Sequence, residues 1–207
     1  MADPTDAQVL KRVQLGDYRA YVFIFDRYYA AIERYAACLL GEGAAASAAA
    51  SATFEQGFRD ARRKGADLAG YPARLFVLCR RHALRAGSRR NALKLLPHSE
   101  PFLEENGVLD LDDLPLSVIL SRERDALVLS ALNELALQDR EIIHLAFEPV
   151  LRRKDIASIL KQPSDQAVTA HLVRALRRLG AAVLRSGYVA PAPTGRPSHY
   201  VQRSARI

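Results

Sequence analysis

The stretch from Asp139 to Leu179 constrains this chain more than any other. It reads DREIIHLAFEPVLRRKDIASILKQPSDQAVTAHLVRALRRL. EIIHLAF, an apolar run behind the charged start at Asp139, predicts one helix. KDIASIL places Ile156, Ala157 and Leu160 at helical spacing and predicts a second. Gln162-Pro163-Ser164-Asp165 then breaks the pattern, because proline cannot continue a helix while Ser and Asp favour caps. From Gln166, the residues Val168, Leu172, Ala175, Leu176, Leu179 and Val183 form one stripe at three- and four-residue steps. With about 100° per residue, Gln166, Ala170, Val173, Arg174 and Arg177 fall on the opposite side. A short helix, a turn and a longer helix with a basic outer face are the outline of a helix-turn-helix, whose second helix enters the major groove of DNA.

The remaining composition narrows the class. The chain has 207 residues, enough for one large domain or two small ones, and 49% of them are hydrophobic, which excludes global disorder. Alanine, leucine and arginine dominate and β-branched runs are rare, so an all-α fold is expected. The net charge of +7 favours an anionic partner, either nucleic acid or a membrane surface. There is no apolar run long enough to span a bilayer and no signal-peptide core, so the expectation is a cytoplasmic protein without membrane insertion. Cys38 and Cys79 stand alone and are expected as small buried hydrophobes, with no metal site and no cofactor. His82, His98, His144, His171 and His199 are scattered and form no catalytic motif, so no enzyme activity is expected.

Upstream, four helices are expected in a first domain, and another, Arg124 to Leu135, opens the second. Thr5-x-x-Gln8 is a capping-box pattern, Gly16 ends the helix it opens, and Asp17 is placed to cap the next. From Tyr18 to Leu40, Tyr21, Ile24, Phe25, Tyr28, Ile32, Tyr35 and Leu39 form an aromatic-rich buried face. A helix beginning in the alanines after Gly43 continues through Phe54 and Phe58 to about Lys64. Another runs from about Ala73 to Leu93, burying Leu75, Phe76, Cys79, Ala83 and Ala86. On its other face Arg74, Arg81 and Arg85 align, with Arg89 slightly offset. Eleven Lys/Arg against two acids between Arg59 and Lys94 make that face a candidate nucleic-acid surface. The chain thus divides into a first helical domain over 5–95, an acidic linker over 96–120, a helix-turn-helix domain over 121–186 and a flexible basic tail over 187–207.

Residue motifs in both domains then resemble one family, the extracytoplasmic-function group of bacterial RNA polymerase sigma factors. Leu132-Asn133-Glu134-Leu135 followed by Asp139-Arg140-Glu141-Ile142-Ile143-x-Leu145 resembles the family's entry helix. Asp155-Ile156-Ala157-x-x-Leu160 resembles its first helix-turn-helix element. Val168-x-x-x-Leu172-x-Arg174-Ala175-Leu176-x-x-Leu179 resembles its recognition helix. In the first domain, Gly16-Asp17, Phe25-x-x-Tyr28-Tyr29, Gln56-x-Phe58 and Leu75-Phe76-x-Leu78-x-Arg80-Arg81 are similar to the family. The chain departs from it at Ala50, Ser51 and Ala52, where the family carries acids, and at Lys161, where it carries glycine. The turn before Val168 is one residue longer than usual, and the chain has no Trp.

The resemblance implies two domains that dock on the RNA polymerase core enzyme and capture promoter DNA, with an anti-sigma factor as a further partner. Gln166, Ala170, Val173, Arg174, Arg177 and Arg178 would face base edges. Arg152, Arg153, Lys154 and Lys161 would hold phosphates. Arg74, Arg81, His82, Arg85, Arg89 and Arg90 would track the melted promoter strand, and Glu55, Gln56 and Asp60 would be the exposed docking residues. The alternative is a degenerate sigma-like regulator that binds an anti-sigma factor or polymerase without normal promoter recognition.

Overall fold

The computed structural model describes residues 4–63, 70–93 and 126–185, without the side chains of 89–93. The expected acidic linker and basic tail lie outside the described residues. Everything regular within them is helical. The order is α1 (Asp6–Gln14), a 3-10 turn (Tyr18–Tyr21), α2 (Val22–Leu40), α3 (Ala44–Ala61), α4 (Tyr71–Leu93), α5 (helical over 126–134), α6 (Leu137–Ala146), α7 (Arg153–Leu160) and α8 (Asp165–Arg185). None of the helices in the described residues is long and apolar enough to cross a membrane.

The capping box at α1 forms: the Gln8 N–H donates to Thr5 Oγ1, and the Thr5 N–H donates to Gln8 Oε1 at 2.9 Å. Asp17 does not cap the next element. Its carboxylate instead takes two bonds from Arg12, at 2.9 and 2.6 Å, and the chain enters α2 through the 3-10 turn. Gly41 and Gly43, with φ of 81° and 110°, make the reversal between α2 and α3 in a region that side chains disfavour.

The helices α2, α3 and α4 pack on one another, with α1 and the 3-10 turn at one end. Leu10, Ile24, Ile32, Tyr35, Leu75 and Phe76 are fully buried there, as the three- and four-residue spacing requires. Phe25 was expected on this face but is 39% exposed; its ring lies over Tyr29 and Phe54, at 4.7 and 5.0 Å, on the edge of the core. In the second half, α6, α7 and α8 pack around Ile142, Leu145, Ile156, Val168 and Ala175. Leu176 was expected in the buried stripe of α8 and is exposed, because it lies at the stripe's margin. Ala182, just beyond the stripe's opposite margin, is buried instead, so the buried face is turned toward that side. The two halves also touch: α6 packs on α2 and α7 on α4, so the buried apolar residues form one continuous cluster.

Candidate nucleic-acid interface

The turn between α7 and α8 sets the direction of the outer helix. At the start of α7, Asp155 Oδ2 accepts from the Arg152 N–H at 2.9 Å, and its negative charge suits the first turn. At its end Lys161 adopts a left-handed conformation (φ 54°, ψ 39°), and the Gln162 N–H closes back on the Ala157 carbonyl at 2.8 Å. Ser164 Oγ then accepts from the Ala167 N–H, opening α8. A lysine at Lys161 carries a steric cost that glycine does not. Lys161→Gly is therefore expected to raise the melting temperature by about 1–3 °C, corresponding to several tenths of a kcal/mol; calorimetry on the two proteins checks this.

The outer face of α8 is open. Gln166, Ala170, Val173, Arg174 and Arg177 are exposed, and neither arginine forms an ion pair among the described residues. Lys154 and Lys161 are also exposed. Three of the expected contacts behave differently. Arg178 is drawn back onto the protein, its Nη1 donating to Asp139 Oδ2 at 2.6 Å. Arg153 donates to Thr169 Oγ1 and ties α7 to α8, while Arg152 pairs with Asp155 at 3.3 Å. Arg178 and Arg153 thus help hold α8 in place, whereas the Arg152 pair stays within the start of α7.

Arg178 meets Asp139, which sequence reasoning placed as a charged helix start and within a family-like motif, without a bonding partner. Asp139 is 2% exposed and also meets His171 Nε2 at 3.1 Å. A carboxylate acceptor requires the proton on that nitrogen, leaving Nδ1 to face the Gln162 amide at 3.5 Å. Burial pushes the Asp139 carboxyl up, but the bonds from Arg178 and His171 together outweigh it and hold the group below the ordinary carboxylate range. Asp139 lies in the first turn of α6, so this pair of bonds fastens α8 across α6. A signal existed: His171 and Arg178 are seven residues apart and share one edge of α8. Their partner could not be read from spacing.

In the first half, Arg81 and Arg85 project from α4, and neither forms an ion pair among the described residues. His82 sits half-buried beside them with Nε2 unpartnered. Its pKa is lowered by burial first, then by Arg81, Arg85 and Arg59, so it stays neutral near pH 7. Arg59, on α3, was not among the expected residues; it belongs to this cationic group and donates to Gln56 Oε1 at 3.0 Å. Arg74 is engaged, donating to Asp60 Oδ2 at 2.8 Å. The side chains of Arg89 and Arg90 lie outside the described residues.

The expected docking trio separates. Glu55 is exposed, and Gln56 is half-buried. Asp60 is 6% exposed rather than open, because it accepts from both Arg74 on α4 and Gln56 Nε2, the latter at 2.9 Å. Burial raises its carboxyl, and the bonds from Arg74 and Gln56 more than offset this, lowering it overall. Asp60 therefore joins α3 to α4. No family model matches this chain, and no curated protein is significantly similar to it.

Proposed function

We propose that the chain is a sigma factor of the extracytoplasmic-function type, which binds RNA polymerase core and directs promoter-specific initiation from two helical domains. The observation that supports this best is the open face of α8, where Gln166, Arg174 and Arg177 stand beside Ala170 and Val173 on a braced helix-turn-helix. Gln and Arg make two-point contacts to base edges, and small apolar groups suit a thymine methyl. The Arg81–Arg85 face of α4 supplies a second cationic surface suited to an unpaired strand, since guanidinium groups both bind phosphate and stack on bases. Anti-sigma binding is part of the same reading.

The decisive experiment combines the purified chain with core polymerase from its own host and a genomic template library. Co-elution and initiation at discrete promoters are expected. Co-elution without promoter-dependent initiation would instead favour a degenerate sigma-like regulator, a reading to which the engaged state of Asp60 and Gln56 lends weight. Gln166→Ala and Arg174→Ala are each expected to weaken binding to the preferred duplex by ~5- to 100-fold, equivalent to ~1–3 kcal/mol, and to relax sequence preference. Lys154→Ala should weaken binding to all sequences alike and lower the salt slope by about one. Fluorescence anisotropy at several salt concentrations separates the two outcomes.

A further inference from the structure

His82 has an unusual setting on α4. It is half-buried, and its Nε2 is enclosed with no hydrogen-bond partner among the described residues. Arg81 adjoins it and Arg85 follows one turn along the same helix. From α3, which packs along α4, Arg59 brings a third guanidinium to the ring and Glu55 an opposing acid. Both are exposed, and Arg59 Nη2 donates to Gln56 Oε1 at 3.0 Å. Arg80 is also near in sequence but, at about 100° per residue, points to the far side of α4. There buried Glu141 accepts from its Nε at 2.7 Å. The cations left facing His82 therefore come from two helices, and none of Arg59, Arg81 and Arg85 forms an ion pair among the described residues. Burial first, and then these arginines, keep the imidazole neutral near pH 7.

We propose that Arg59, Arg81 and Arg85 form one phosphate site for an unpaired strand, and that His82 takes up a proton when the site fills. The choice of nucleic acid as ligand rests on the function proposed above; the part played by α3 and the proton go beyond it. Guanidiniums crowded round one ring repel each other, and an enclosed polar atom without a partner is costly. A phosphodiester among them removes both costs. It offsets their repulsion of an imidazolium, attracts that imidazolium itself, and offers an acceptor for its N–H. The effect is reciprocal: a strand that favours the protonated ring is in turn bound more tightly by it. The filled site holds more protons than the empty one. Affinity therefore rises as pH falls through the pKa of His82 in the complex, and levels off below its pKa in the free protein.

The test uses the full chain and a labelled oligothymidylate of about twelve nucleotides, read by fluorescence anisotropy. Neither thymine nor a phosphodiester titrates between about pH 5.5 and 8, the range in which histidine does, so the ligand contributes no proton of its own. Affinity is expected to rise up to about tenfold across that range as pH falls, the effect of a pKa raised by about one unit. Calorimetry near pH 6.5 in two buffers of different ionisation enthalpy should show uptake of up to about one proton. His82→Gln should flatten the profile. Arg59→Gln should lower the salt slope by about one and move the rise to higher pH, because one repelling charge is gone. If His82→Gln loses helical circular dichroism, Arg59→Gln, at an exposed position, carries the measurement. A flat profile in the parent, or an unchanged one in folded His82→Gln, overturns the proton uptake. An unmoved rise and salt slope in Arg59→Gln removes α3 from the site. Absence of oligothymidylate binding at about pH 5.5 overturns the site altogether, while initiation at promoters still decides the proposed function. Proton-linked binding without initiation upholds the site and fails that function.

Discussion

Gly57→Val is expected to destabilise the protein by about 3 kcal/mol or more, lowering its melting temperature by roughly 6–12 °C. Gly57 is buried in α3, where the helix passes close to the 3-10 turn and α4. A Cβ at this position would lie 2.8 Å from the Tyr21 hydroxyl, 2.9 Å from Leu75 Cδ2 and 3.0 Å from the Tyr71 hydroxyl. None of these can retreat cheaply. The two hydroxyls are hydrogen-bonded to each other at 3.0 Å, and Leu75 is fully buried. Burial pushes the Tyr21 phenol up to about 12, so the pair stays protonated and keeps its bond. Gly57→Ala is the informative control. Alanine improves helix propensity by about 1 kcal/mol, and at an open helical site it would stabilise. A net loss of about 1–2 kcal/mol is expected here, because the first added carbon already meets all three atoms. Chemical denaturation of both variants measures this, and a stabilised Gly57→Ala would show that the approach of α3 to α4 is looser than described.

Asp139→Ala is expected to cost about 2–3 kcal/mol, the scale of losing charge-assisted bonds from a buried acceptor. It should weaken DNA binding beyond what stability alone accounts for. The bonds to Arg178 and His171 fasten α8 to α6, and without them the outer face keeps its residues but not its direction. Arg177→Ala is the matched control: it lies on the exposed face, so stability should change by less than about 0.5 kcal/mol while DNA affinity falls. The pH dependence has a definite sign. The folded-state pKa of Asp139 lies below the ordinary value, so its stabilisation is complete above about pH 4 and is lost as pH falls through the folded pKa. Asp139→Ala should therefore flatten the acid limb of the stability profile. Unfolding midpoints between pH 2 and 7 check it, and parallel acid limbs in the two proteins would remove Asp139 from this role.

Much of the helical order was legible because helices bury residues at a fixed local period. The capping box at Thr5, the break at Pro163 and the stripe through Val168, Leu172 and Ala175 are local signals, and each appears in the structure. The α7–α8 unit was readable for the same reason. Period alone blurs at the edge of a stripe, which is how Leu176 was assigned inside and proved exposed. Gly57 carried a weaker signal, an isolated glycine within a helical pattern, that pointed to close packing without saying against what. Glu141 carried one too. It precedes Leu145 by four residues, so helical spacing places it on the apolar side of α6 rather than in solvent.

The local sequence was sufficient for the helix content, the turn, the basic outer face of α8 and the arginine face of α4, because all follow from propensity and periodicity along one element. Which charges remain available on those faces depended on the packing of distant segments. Arg178 meets Asp139 39 residues away, Arg80 meets Glu141 61 residues away, and Arg74 meets Asp60 on a different helix. A buried carboxylate must find a partner, and the partner it takes is the cation that folding brings within hydrogen-bond reach. That requirement converts Arg178, Arg74 and Arg80 from surface charges into fastenings between helices, while Arg174, Arg177, Arg81 and Arg85 remain open to an anionic ligand.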